Sequence, residues 1–313
     1  MSSPLHSPLK SAALVALPQA EPAASVHPSR LSDYWALSKP RVTILVWTTT
    51  LLGMVIAAGV ADIQVGGWLC FHMLVGSWLV IAAANVFNQV LERKADSKMR
   101  RTRTRPIASG RIATREGWAL GAVWVILGLS QLALFVNLLV ALLGAVSIAA
   151  YAFAYTPLKP RSHLATAIGA IPGAIPPLAG WVAVTGSISL PGIMLFALQF
   201  FWQFPHFWAI AWLLREDYSV AGFKMLPFPG ADGKSTALAT LQYSLAAWPL
   251  GFAFSIFVSQ PIVYVLGAFA LNLWITLAAH RFWISPDDVQ AKKVLKASVV
   301  YLPLLLLLIV CCL

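Results

Sequence analysis

The chain has 313 residues, of which 59% are hydrophobic and only 11% charged, against roughly 25% charged residues in a soluble domain. Its 22 lysines and arginines outnumber 11 aspartates and glutamates, a formal net charge of +11. This composition excludes a water-soluble globular fold. With no soluble domain to present a basic surface, it also excludes nucleic-acid binding.

Residues 1–30 are rich in Pro, Ser and Ala, and the apolar stretch Ala12–Leu17 is too short for the core of a signal peptide. They read as a disordered cytoplasmic tail. Residues 31–313 read as one all-α transmembrane domain, because no linker interrupts a series of apolar runs about 20 residues long, the length that crosses a bilayer as a helix. The predicted spans are 42–61, 67–91, 117–136, 138–155, 164–185, 190–214, 237–258, 262–284 and 294–313. That makes nine helices around a central cavity open to the cytoplasmic face. The tightly joined third and fourth spans leave a single re-entrant hairpin as an alternative. With the N-terminus in the cytoplasm, every lysine and arginine falls in an inner segment or at the inner end of a helix, and the outer loops at 62–66, 137, 186–189 and 259–261 hold none. This one-sidedness is the positive-inside pattern, and it also favours contact with anionic lipid.

The second span ends in Asn88, Glu92 and Asp96, followed by Lys98, Arg100, Arg101, Arg103 and Arg105. Positions i, i+4 and i+8 share one helical face over about 12 Å. Three oxygen ligands in a row suit Mg²⁺, which is usually held by carboxylates together with substrate phosphates. The alternative is a solvated helix end paired with nearby arginines. The sixth span ends in Arg215-Glu216-Asp217-Tyr218, on the same membrane face. Asp217 is therefore a partner for the first acidic group across the cavity, where two acidic clusters could hold Mg²⁺ on a diphosphate. Arg101 and Arg105 would donate to the same phosphates.

Tyr155 and Lys159 close the fourth span on that face. Lys159 can act as a point charge on phosphate and Tyr155 can hydrogen-bond it, although Pro157 and Pro160 also fit a plain helix stop. Residues 171–181 carry three prolines and two glycines, which should kink or open the fifth helix; the result is either a structural bend or a cavity wall. Gln199, Gln203 and His206 share one face of the sixth helix. They suit either hydrogen bonds between helices or a polar stripe on a substrate cavity, with His206 near a large aromatic ligand. His72 and His163 are weaker ligand candidates. Cys70, Cys311 and Cys312 have no metal or redox spacing and read as packing or lipid-facing residues.

These motifs together resemble the UbiA-type superfamily of intramembrane prenyltransferases. The likeness rests on Asn88-x₃-Glu92-x₃-Asp96, on Tyr155-x₃-Lys159, and on the stretches Met99–Pro106, Ile168–Trp181, Trp202–Trp208 and Asp217–Pro227. It covers about residues 31–300, and it is strongest with the branch that farnesylates haem. Glu92 stands where many members have Asp, and Ala221 stands where the broad superfamily has a second acid, as it does in the haem branch.

The resemblance implies an Mg²⁺-dependent transfer of the farnesyl group of farnesyl diphosphate to a vinyl group of haem B, with water addition, giving haem O and diphosphate. It implies Mg²⁺ at Asn88, Glu92, Asp96 and Asp217, and assistance from Tyr155. Arg101, Arg105, Lys159, Arg215 and Lys224 would bind the diphosphate, and Gln199, Gln203 and His206 would lie towards the haem. Haem is then a substrate and not a retained cofactor. A haem A synthase or oxidase assembly factor becomes the expected partner. The short, Arg-poor N-terminus favours a bacterial inner membrane over a mitochondrial one. Rival readings are a quinone-precursor prenyltransferase of the 4-hydroxybenzoate type, and a membrane transporter or haem-protein assembly factor. A transporter needs ionisable residues at mid-membrane, and this chain carries its acids at one end.

Overall fold

The computed structural model describes residues 29–227 and 233–313. The tail expected over 1–30 therefore lies outside the described residues, apart from its last two positions. In chain order the helices are α1 (Arg30–Ser38), α2 (Pro40–Ala61), α3 (Gly67–Leu91), α4 (Arg93–Asp96), α5 (Thr114–Phe135) and α6 (Leu138–Ile148), which continues into a π-helix (Ala149–Tyr155) and α7 (Thr156–Leu158). They are followed by α8 (Ala165–Thr185), α9 (Leu190–Leu213), α10 (Arg215–Ala221), α11 (Lys234–Ala246), α12 (Trp248–Ala253), a short 3₁₀ turn (Phe254–Ile256), α13 (Pro261–Ile284) and α14 (Asp288–Cys312).

Among the described residues, eight helices are long and apolar enough to cross a membrane. The expected seventh span, 237–258, is instead broken at Ala247 into α11, α12 and the 3₁₀ turn. Pro249 is the cause: it cannot donate to the ladder, and its ring displaces the preceding turn. The re-entrant alternative fails on length, since α5 has 22 residues and the run Leu138–Leu158 has 21. Asn137 makes the sharp turn between them, accepting from the Val140 N–H at 2.8 Å and donating to the Val182 carbonyl at 3.0 Å.

The fifth span does not open: with Pro172, Pro176 and Pro177 inside it, α8 is one unbroken helix from Ala165 to Thr185 and is the most buried of the eight. Pro177 leaves the carbonyl of Gly173, four residues earlier, without its helical donor. Gln199 on α9 supplies that donor, its Nε2 lying 2.6 Å from the Gly173 oxygen. Gln203, one turn on, donates to the Ala170 carbonyl at 2.9 Å. The backbones of α2 and α8 meet directly: a Cβ on Gly53 would stand 2.3 Å from the Pro177 carbonyl oxygen, and one on Gly180 would stand 2.1 Å from that of Thr50. Small residues that let helices approach this closely are a usual basis of packing inside membranes, where lipid gives apolar side chains no preference for each other. The fold thus fixes α2, α8 and α9 as a rigid centre, with the charged ends of α3, the π-helix and α10 gathered at one rim.

Candidate active site

At that rim α3 ends at Leu91, but its helical register does not. The Glu92 N–H bonds the Asn88 carbonyl at 2.9 Å and the Asp96 N–H bonds the Glu92 carbonyl at 2.8 Å, so the three residues stay on one face as the sequence predicts. All three are buried, and each has a partner. Asn88 Nδ2 donates to Thr156 Oγ1 at 3.0 Å. The Glu92 carboxylate lies 2.6 Å from Lys159 Nζ. Asp96, fully buried, takes both its oxygens to Arg105 NH1, at 2.9 and 2.8 Å. Its carbonyl also accepts from Thr102, which folds the basic loop back under the helix end.

Lys159 is the centre of the group. Its ammonium sits 4.4 Å from the Tyr155 ring centroid and 5.5 Å from that of Phe223. Burial opposes its charge, but Glu92 and the nearby tyrosine oxygens outweigh burial and hold its pKa above the ordinary lysine value. The π-helix sets its position. Pro157 lacks an N–H and crowds the preceding turn, and the chain answers by widening to i→i+5 bonding over Ala149–Tyr155. Such wide turns recur at functional sites.

The segment after α10 is stitched to the same corner. The Lys224 N–H bonds the Lys159 carbonyl at 2.7 Å, and His163 Nδ1 lies 2.6 Å from the Leu226 carbonyl. A pocket of about 340 Å³ opens between these parts, lined by Glu92, Lys98, Thr156, Pro160, Ala221 and Phe223 among others. From the first acidic stretch Glu92 reaches this pocket, and from the segment of α10 and beyond Ala221 and Phe223 do; Asp217 is not among its lining residues. Asp217 is half-buried on α10, and among the described residues it makes no ion pair. Arg101 is exposed, and Lys224 Nζ reaches the Arg161 carbonyl at 3.4 Å.

Several expected residues lie elsewhere. Arg215 is turned to the far side of α10: NH1 bonds the Trp212 carbonyl and the Asp288 carboxylate, both at 2.8 Å, and the guanidinium lies over the Trp212 ring. It ties α9 to α14 and does not reach the pocket. Gln199 and Gln203 spend their amide nitrogens on α8 carbonyls. His206 stacks on Trp202 and pairs its Nδ1 with Ser298 Oγ at 3.0 Å. The expected haem-facing stripe is thus largely a seam between helices. His72 pairs with Gln131 and stacks on Phe135. Cys70, Cys311 and Cys312 are free thiols.

Sequence reasoning missed Lys39. It joins α1 to α2 with a left-handed backbone, φ 49° and ψ 62°, a conformation that bulky residues hold only when their surroundings enforce it. Gln89 enforces it from α3, donating to the Leu37 carbonyl at 3.2 Å. The Lys39 side chain forms no ion pair among the described residues. Its only sequence signal is a lysine before a proline.

The fit of this corner to Mg²⁺ rests on donor chemistry. An amide and carboxylates are hard oxygen donors, and Mg²⁺ commonly takes one or two carboxylates and completes its shell with waters and phosphates. No three His, Cys, Asp or Glu side chains converge among the described residues, so the protein alone forms no closed cage.

A helical membrane bundle whose acidic and basic side chains gather at one rim is the arrangement expected of an enzyme acting on a lipid-like anion. The profile of the UbiA prenyltransferase family matches residues 46–300, and the chain belongs to that family. Relatives called protoheme IX farnesyltransferase are similar over nearly the whole chain. The one from Koribacter versatilis is 39% identical over 88% of this chain and 92% of its own. The one from Solibacter usitatus is 38% identical over 88% and 96%. A mitochondrial relative from Arabidopsis thaliana is 38% identical over 86% of this chain and 62% of its own. Among solved structures, a digeranylgeranylglyceryl phosphate synthase matches with a TM-score of 0.75 at 19% identity, covering 90% of this chain and 98% of that one. A UbiA homologue from Archaeoglobus fulgidus, bound to GPP and Mg²⁺, matches at 0.62 with 16% identity, over 89% and 99%. At such identities the two structures speak for the fold.

Proposed function

We propose that this chain transfers the farnesyl group of farnesyl diphosphate to a vinyl group of haem B, with addition of water, to give haem O and diphosphate. The observation that carries the reading is the 36–39% identity, over 86–91% of the chain, to relatives bearing one and the same name. The geometry of the rim supports its diphosphate end. Asn88, Glu92, Asp96 and Asp217 would hold Mg²⁺, which when bound supplies positive charge against the leaving diphosphate.

Lys159 and Arg105 bind the diphosphate, with Lys39, Arg101 and Lys224 around them. In the ligand-free arrangement Lys159 and Arg105 neutralise Glu92 and Asp96, so two buried carboxylates are not left unpaired. Tyr155 holds the Lys159 ammonium over its ring face and shields it from water. The farnesyl chain extends from the pocket into the bundle. The C1–O bond breaks and its electron pair leaves with diphosphate. The vinyl π electrons attack C1, water adds to the resulting cation, and a proton is lost to solvent. The protein works in a bacterial inner membrane with its N-terminus and this rim on the cytoplasmic side, and it hands its product to a haem A synthase or oxidase assembly factor.

The test is an assay of the purified full chain with haem B, farnesyl diphosphate and Mg²⁺, followed by pigment extraction and mass measurement. A product heavier by one farnesyl group and one hydroxyl is expected, and EDTA should abolish it. Prenylation of a phenolic acceptor in place of haem would overturn the acceptor, and activity unaffected by EDTA would overturn the metal.

A further inference from the structure

Thr156 lies between Asn88 and the π-helix, and no part of the reading above uses it. Its side chain is buried, with the residue 3% exposed. The backbone N–H closes the π-helix on the Tyr151 carbonyl, and the hydroxyl donates to that same carbonyl at 2.9 Å. A threonine hydroxyl has one hydrogen. With that hydrogen on Tyr151, Oγ1 can only accept from Asn88 Nδ2, 3.0 Å away. The bond therefore fixes which way round the Asn88 amide stands: the nitrogen faces Thr156 and Oδ1 faces away, with no hydrogen bond to it among the described residues. A valine of the same shape would leave the Asn88 nitrogen buried without an acceptor, and the amide would be free to rotate.

We infer that Thr156 is a positioning residue, which orients the Asn88 amide so that its oxygen is presented to the cation of a metal–prenyl diphosphate complex. This inference rests on the diphosphate reading but not on haem as acceptor. Groups that orient a ligand in this way typically contribute about 10–100-fold to metal affinity.

Titration of the full chain with Mn²⁺, in the presence of the unreactive farnesyl thiolodiphosphate and followed by the EPR signal of free Mn²⁺, tests it without turnover. Thr156→Val should weaken Mn²⁺ binding by about 10–100-fold, and Thr156→Ser should restore it to within about threefold. Asn88→Ala should weaken it at least as much, and adding Thr156→Val to Asn88→Ala should cost nothing further. Thr156→Ala serves as a second variant should the valine fail to fold, with size-exclusion profiles as the check. Wild-type Mn²⁺ affinity in a folded Thr156→Val, or additive losses in the double variant, would overturn the inference while leaving the diphosphate site intact. No Mn²⁺ binding by the wild type would overturn both.

Discussion

Removing one member of the Lys159–Glu92 pair is expected to cost more than removing both. The two groups lie 2.6 Å apart, and their side chains are 10% and 7% exposed. At an effective dielectric constant of about 20, two unit charges at that distance attract by roughly 6 kcal/mol, most of which offsets the cost of taking them out of water. Glu92→Gln leaves a buried ammonium without its counter-charge, and Lys159→Met leaves a buried carboxylate. Each single variant should lose about 3–5 kcal/mol of stability. The double variant, with no charge to bury, should return to within about 1.5 kcal/mol of wild type. Activity should not follow stability: all three variants should form less than about a hundredth of the product, since one charged hydrogen-bonding group lost from such a site is worth some 2.7–4 kcal/mol of barrier. Thermal unfolding in detergent and the haem B assay measure the two quantities on the same samples. The reasoning is wrong if Glu92→Gln is as stable as wild type, or if the double variant regains activity along with stability.

Asp217→Ala removes a half-buried acid with no ion pair of its own, so it should leave the unfolding temperature unchanged while lowering kcat/KM by at least about 100-fold; full activity would remove Asp217 from the site. Arg215→Ala should behave in the opposite way, lowering stability by up to about 1 kcal/mol through loss of a largely exposed pair and leaving the KM for farnesyl diphosphate as it was. A rise in that KM would restore Arg215 to diphosphate binding. Gln199→Leu strands the Gly173 carbonyl inside the bundle and should cost about 1–3 kcal/mol, read as a lower unfolding temperature with the haem KM unaltered. On the pH axis, the Lys159 pKa is raised by its surroundings, so its charge and the stability it contributes are fully present below the ordinary lysine value and disappear only as pH rises through the higher folded one. No loss of stability from this group should appear below about pH 10.

The spans were legible because twenty apolar residues have one use in a bilayer, and the rim was legible because acids and arginines are rare enough in such a chain for their spacing to stand out. The choice of partners was not. Arg105 and Arg215 look alike in the sequence, yet one folds back over nine residues to Asp96 and the other crosses 73 residues to Asp288; only the packing of helices decides which carboxylate is near. The prolines of α8 left open whether the helix would break for a related reason, since a proline frees a carbonyl locally but the donor that repairs it, Gln199, comes from another helix. Lys39 was invisible because its backbone angle, not its side chain, is the unusual thing about it. The acceptor could be read only by likeness: no described side chain pattern by itself distinguishes a porphyrin from a phenol.

The seven-residue wide turn at Ala149–Tyr155 also bears on how this chain can vary. An ordinary helix advances about 100° per residue, so one residue lost from the α-helical stretch before the wide turn would swing Lys159 away from Glu92 while each motif still read correctly letter by letter. The wide turn itself can give up a residue by closing to ordinary i→i−4 bonding, as a single-turn bulge does. A one-residue gap in a pairing with a distant cousin is therefore least disruptive inside this turn and most disruptive beside it.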